Sequence, residues 1–135
     1  MKPLVIYHAD CTDGYGAAFA AWLKLGDEAE YVPMQYGHKG ALPYYDDKEV
    51  YILDFSFSRE DMLLIFDRAR RVVWLDHHKT AFEMWCPDVP YEKGDYIFDD
   101  SGPHLITLDD NKSGALLAWE YFHPGTEVPM LIQRT

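Results

Sequence analysis

Short, wholly apolar runs punctuate this chain, and amphipathic stretches lie between them. Leu4-Val5-Ile6-Tyr7, Val50-Tyr51-Ile52-Leu53 and Val72-Val73-Trp74-Leu75 are four residues each, with no charged break. Continuous runs of this length fit strands covered on both faces, as in a parallel sheet. Between them the spacing turns helical. Gly14-Tyr15-Gly16 opens a run from Ala17 to Leu25 that stops at Gly26, a residue suited to a helix C-terminus. Residues 29–34 read as a second strand, ended by Pro33, and residues 37–48 as loop or a short helix. Ser58-Arg59-Glu60-Asp61 is a capping box ahead of apolar Met62, Leu63, Ile65 and Phe66. Arg68, Arg70 and Arg71 crowd the end of that helix, where the dipole favours cations. Thr80 to Trp85 reads as a short helix stopped by Pro87. Residues 88–108 read as irregular, with short strand candidates at Tyr96-Ile97-Phe98 and Leu105-Ile106. A strong helix follows from Gly114 to Phe122, ended by His123-Pro124-Gly125, and another begins near Glu127. Strand and helix in alternation predict an α/β fold with a mainly parallel sheet, in a single domain over residues 1–135.

The ends of the three apolar runs carry the chemistry. The first enters His8-Ala9-Asp10-Cys11-Thr12-Asp13-Gly14, the second Asp54-Phe55-Ser56, and the third Asp76-His77-His78. In an open parallel sheet, ligands bind at the carboxyl ends of the strands. Each piece alone is ordinary: Asp13-Gly14 is a turn signal, and Asp54-Phe55-Ser56 a strand-to-helix cap. Together they predict one cluster of carboxylates and imidazoles. Carboxylate oxygens suit hard divalent cations, and imidazole shifts the preference from magnesium toward manganese, iron, cobalt or zinc. If the chain stays extended, His77 and His78 point to opposite faces, one to an ion and one to substrate. Cys11 with His8 is a weaker alternative, a nucleophile and its base. Asn111-Lys112-Ser113-Gly114 offers an amide, an ammonium, a hydroxyl and helix-start amides, a set suited to an anion. No P-loop or dinucleotide fingerprint is present.

Composition narrows the partners. The net charge of −11 argues against binding duplex nucleic acid, which needs basic surface. It leaves room for a small nucleotide or phosphorylated substrate held through cations. No stretch approaches the ~20 apolar residues of a membrane span. Both cysteines, Cys11 and Cys86, read as free thiols of a reducing compartment, so the expectation is a cytoplasmic protein.

With these motifs in place, the chain resembles the DHH phosphoesterases, named for the triplet that here is Asp76-His77-His78. The likeness takes in the first motif, Asp54, the triplet with Lys79-Thr80, and Asp109 to Ala115 with the helix through Phe122. It is greatest for the small phosphohydrolase and oligoribonuclease-like members. The resemblance implies a parallel α/β domain with helices on both faces. It also implies two manganese ions, with magnesium, cobalt or zinc as alternatives, and hydrolysis of a phosphodiester by a metal-bridged hydroxide. The implied substrate is of the short-oligonucleotide or cyclic-nucleotide type. By motif, His8 and Asp10 would hold one ion and Asp13 the other. Asp54 would bridge them and His77 would ligate the second. His78 would contact the scissile phosphate, supported by Asp76. Lys79 and the Asn111-Lys112-Ser113-Gly114 segment would help bind substrate.

Two departures qualify that picture. The family places one residue between its two aspartates, whereas Cys11 and Thr12 separate Asp10 from Asp13. The family's fourth-motif aspartate is expected just past Thr135, so Asp109 or Asp110 is a candidate stand-in. The associated second domain is likewise not found in the sequence. A weakly active or inactive nucleotide-binding module, a site completed by a partner, and self-association are therefore alternative expectations.

Overall fold

The computed structural model describes residues 1–37 and 42–133. Six strands form one sheet: β1 (Leu4–His8), β2 (Glu30–Met34), β3 (Glu49–Leu53), β4 (Arg71–Asp76), β5 (Tyr96–Asp99) and β6 (Leu105–Asp109). Their order is β2-β1-β3-β4-β6-β5. All neighbours are parallel except β5 and β6, which pair antiparallel with Tyr96 opposite Asp109. The helices are α1 (Thr12–Leu25), α2 (Arg59–Arg68), α3 (Lys79–Trp85), α4 (Gly114–Phe122) and the single turn α5 (Met130–Gln133).

Strand side chains alternate between two apolar layers, so each run must be hydrophobic throughout. Leu4, Ile6, Val50, Ile52, Val72 and Trp74 pack with Met62 and Ile65 of α2 and Phe82 of α3. Val5, Tyr51, Leu53, Val73 and Leu75 pack with Ala17, Ala20 and Ala21 of α1 and with Leu117 and Ala118 of α4. The alanines let α1 lie close to the sheet. Each fully buried aliphatic side chain contributes about 1.5–3 kcal/mol. The helices therefore cover both faces of a mainly parallel sheet.

Several elements differ in detail from the sequence reading. Pro33 lies inside β2, opposite Tyr7, and does not end it. An edge strand tolerates the missing N–H because one side of its ladder is unpaired. Residues 42–48 form no regular helix, and residues 38–41 of that predicted loop lie outside the described residues. Helix α1 begins at Thr12, two residues early, which draws Asp13 into its first turn. Tyr96–Asp99 and Leu105–Asp109 are strands of the main sheet. Among the described residues, no helix is long and apolar enough to cross a membrane.

The strand order places the change of winding direction between β1 and β3. The loops leaving those two strands diverge there, opening a crevice at their carboxyl ends. The residues of the first motif and Asp54 sit at that crevice, and the triplet leaves the next strand over.

Candidate metal centre

Asp54 is the centre of the cluster. It follows β3, is fully buried, and has φ 56°, in the left-handed region that few residues other than glycine adopt. Its amide donates to Leu75 O at 2.8 Å, which fixes the bend. The two carboxylate oxygens face different donors. Oδ1 lies 2.9 Å from His77 Nε2, which is itself 3.0 Å from Asp13 Oδ2. Oδ2 lies 3.7 Å from His8 Nδ1 and 3.7 Å from the Cys11 thiol. Asp54 thus stands between two sets, His77 with Asp13 and His8 with Cys11.

Asp13 is held by the start of α4. Gly114 N donates to its Oδ2 at 2.9 Å and Ala115 N to its Oδ1 at 2.7 Å. Glycine at 114 is required by space, because a Cβ there would overlap the Asp54 carboxylate. Gly14 is confined in the same way by the His8 carbonyl.

The triplet turns sharply after β4. Asp76 Oδ1 accepts from the amides of His77 (2.8 Å) and His78 (3.3 Å), and from His78 Nδ1 at 2.7 Å. Its Oδ2 accepts from Ser56 Oγ at 2.6 Å, and the same hydroxyl receives Trp74 Nε1 at 3.0 Å. The predicted opposite orientation of His77 and His78 does not occur. Their ring centroids are 4.4 Å apart, because the strand ends at Asp76 and its carboxylate gathers both following amides. Anchoring His78 through Nδ1 leaves its Nε2 for another partner. Tyr36 lies beside it, with its hydroxyl 3.4 Å from His78 Nδ1 and its ring stacked on Phe55. A cavity of about 280 Å³ adjoins this pair, lined by Tyr36, Phe55, Phe57 and Asp61 among others.

The electrostatics follow from this crowding. Burial pushes the Asp13 carboxyl up, but the His77 contact and the Ala115 and Gly114 amides outweigh it, holding the group at about 2. Burial dominates at Asp54 and raises it, with His77 opposing and Asp13 and Asp76 adding repulsion. Burial opposes charge on His77, yet its contacts with Asp13 and Asp54 push it up to about 10. The hydrogen bond to Asp76 raises His78 against its burial.

The residues fit a divalent cation. Among the described residues, His8 Nδ1 and Asp54 Oδ1 find no directed hydrogen bond though both atoms are buried. A buried polar atom without a partner is rare and costs about 1–3 kcal/mol, which applies to His8 Nδ1, whereas Asp54 Oδ1 keeps its 2.9 Å contact with His77. His8 Nδ1 lies toward Asp54 Oδ2 and Asp54 Oδ1 toward His77, and imidazole nitrogen with carboxylate oxygen is what borderline divalent ions accept. Two groups of potential ligand atoms overlap at Asp54: His8, Cys11 and Asp54, and Asp54, Asp76, His77 and His78. Asp76 is the least available of these, since protein donors already occupy both its oxygens.

The structure brings His8, Asp13, Asp54, Asp76, His77 and His78 to one place. It does not bring Asp10 there. Asp10 is exposed, has φ 53°, and accepts from Gln35 Nε2. The left-handed turn swings Cys11 inward in its stead. The Asn111-Lys112-Ser113-Gly114 segment also differs from the anion site predicted. The α4 amides serve Asp13, Ser113 Oγ caps Leu116 N at 3.1 Å, Lys112 pairs with Glu120 at 2.6 Å, and Asn111 donates to Gly94 O. Lys79 is exposed beside Glu83 and the Tyr91 ring. Asp109 accepts from Asn111 N, and Asp110 from Tyr91 and Gly94 N, so the candidate stand-ins serve their own loops. The sequence reading missed Ser56 as the support of Asp76, and Tyr36 had no more than its aromatic character to suggest it.

Comparison with known proteins adds one relative. The chain is 28% identical, over 144 aligned positions, to an uncharacterized protein of Acanthamoeba polyphaga mimivirus. The match takes in 96% of this chain and 31% of that protein, so the chain spans about a third of the relative's length. No protein-family model matches, and no solved structure matches.

Proposed function

We propose that this chain is the metal-binding α/β domain of a DHH-type phosphoesterase. It would act on a phosphodiester of the short-oligonucleotide or cyclic-nucleotide type. The observation that carries the reading is the division of Asp54, one oxygen facing His77 and the other His8 and Cys11. A carboxylate in that position suits two adjacent cations. His77, Asp13 and Asp54 would hold one, and His8 with Asp54 the other, manganese being the first candidate and magnesium, cobalt or zinc the alternatives. When bound, such ions supply Lewis acidity toward phosphate and lower the pKa of water.

The remaining residues position substrate. Asp76 holds His78 by Nδ1 and favours its protonated form, in which Nε2 can donate to a phosphate oxygen. Ser56 and Trp74 keep Asp76 in register from below. The test is hydrolysis of bis-para-nitrophenyl phosphate, dinucleotides and cyclic dinucleotides with manganese, with Asp54→Asn as control. Turnover that needs the metal and is lost in the variant supports the reading. Equal rates in the two proteins would defeat it.

One observation favours a second reading. Lys112 is committed to Glu120 at 2.6 Å, so one lysine expected to grip phosphate is already engaged. A nucleotide-binding module, with cations for turnover supplied by a partner, fits that arrangement. Thermal stabilisation by a nucleotide plus manganese, without hydrolysis, would favour it.

A further inference from the structure

We infer that Cys11, and not Asp10, completes the ligand set on the His8 side of Asp54, and that its sulfur biases that position toward a thiophilic cation such as zinc over magnesium. The inference rests on the metal-centre part of the proposed function, not on the phosphoesterase reaction.

Three observations carry it. First, Cys11 Sγ, His8 Nδ1 and an Asp54 oxygen lie within 4.8 Å of one another. Two edges of this triangle, Sγ to Oδ2 and Nδ1 to Oδ2, are both 3.7 Å. A tetrahedral ion with bonds of about 2.0–2.3 Å has ligand–ligand edges of about 3.3–3.5 Å. At these two edges only small side-chain shifts separate the two geometries. Second, the polar atoms aimed at this space lack adequate partners. Asp54 is fully buried, and among the described residues the directed hydrogen bond at its Oδ2 comes from the weak thiol donor alone. His8 Nδ1 has none. Oδ1 faces His77 at 2.9 Å, but a buried carboxylate oxygen as poorly satisfied as Oδ2 is costly unless a cation completes it. Third, the acid that could displace sulfur faces elsewhere. Asp10 is exposed on a left-handed turn and bonded to Gln35.

The chemical consequence is selectivity. A nitrogen, sulfur and oxygen set suits zinc and cobalt, whereas magnesium takes oxygen and keeps its water. Cys86, the other thiol, follows α3 and is not among the clustered ligand atoms, so it serves as an internal control.

Cobalt(II) is the probe, because a cobalt–thiolate bond gives a near-ultraviolet charge-transfer band. Wild type, Cys86→Ser, Cys11→Ser and Cys11→Asp are each loaded with cobalt, with circular dichroism to check folding. The band should appear in wild type and Cys86→Ser and be absent from both Cys11 variants. Cys11→Asp should still bind cobalt, and its preference for zinc over magnesium should fall by at least about tenfold, the scale on which even supporting residues of metal sites act. Zinc should also protect one of the two wild-type thiols from a disulfide reagent, and that thiol should be Cys11. Cobalt bound to wild type with a band that survives in Cys11→Asp would overturn the assignment and leave the metal centre intact. A wild-type protein that binds neither cobalt nor zinc would overturn both.

Discussion

At the scale of single residues, the site depends on very close approaches. The nearest is Gly114 to Asp54. At 114, the first residue of α4, an alanine would improve helix propensity by at most about 1 kcal/mol. The methyl would also overlap a carboxylate that cannot retreat, because Asp54 is buried and its backbone is fixed by Leu75. Overlap should win, and Gly114→Ala is expected to lose about 1–3 kcal/mol in denaturant unfolding together with its response to divalent metal. Gly102→Ala is the control, with open space around the added carbon and a change within about 0.5 kcal/mol. His77 gives a second prediction. Its folded pKa of about 10 lies above the ordinary 6.5, so its charge contributes stability fully below pH 6.5. In chelator-treated protein that contribution should fade as the pH rises from 6.5 toward 10. A cation can bind Nε2 only after the proton leaves. Metal binding at pH 7 should therefore release a proton into weakly buffered solution, and His77→Gln should release one fewer; no difference between them would remove His77 from the ligand set. The three strand-end clusters were legible in the sequence because each ends an uninterrupted apolar run. The exchange of Asp10 for Cys11 was not, since it depends on the sign of one φ. A clue was nonetheless present: Cys11-Thr12-Asp13 keeps one residue between two potential ligands, and Asp10 to Asp13 does not.

At the scale of elements, helix starts do different work on the two faces of the sheet. Ser58 caps α2 by accepting from Asp61 N at 3.2 Å, and Ser113 caps α4 by accepting from Leu116 N at 3.1 Å. By capping alone, replacing either with alanine costs about 1 kcal/mol. The two helices differ in what their first amides hold. Those of α4 grip Asp13. Ser58→Ala and Ser113→Ala should thus lose similar stability by urea titration, while only Ser113→Ala weakens metal affinity by calorimetry. Equal affinity in both variants would show that α4 does not tension Asp13. The Ser58 cap could be read from the sequence, as could the start of α4 at Gly114. What the α4 amides bind could not, because Asp13 and Gly114 are a hundred residues apart in the chain and meet only through the packing of α1 on α4. The β5–β6 pair was hard to read for another reason. Tyr96 and Phe98 are exposed and flanked by acids, so β5 lacks the two-sided apolar signal that marked the central strands.

For the whole molecule, the decisive quantity is charge. The chain carries a net charge of −11, and Asp13, Asp54 and Asp76 converge on one crevice at the carboxyl ends of the central strands. Self-repulsion of this kind opposes the compact state. A cation bound only by the folded protein stabilises it by mass action, by about 2.7 kcal/mol at a hundredfold excess over its Kd. For a chain of this size that corresponds to an increase in Tm of roughly 10 °C. General screening of an acidic surface would also raise Tm, so the size of the shift alone decides nothing. The two causes differ in what they respond to. Screening follows ionic strength, is reproduced by sodium chloride, and is indifferent to Asp54, whose charge is one among many. Site binding saturates at low cation concentration, ranks manganese, cobalt and zinc above magnesium, and disappears in Asp54→Asn. That variant keeps a residue type tolerant of positive φ, so its own Tm after chelation should be no lower than wild type, relieved as it is of repulsion from Asp13 and Asp76. The measurement is differential scanning calorimetry of both proteins, chelated and metal-loaded, at fixed ionic strength. A saturable rise in wild type and a flat response in Asp54→Asn are expected, and parallel rises in the two would mean that the crevice binds no cation of its own.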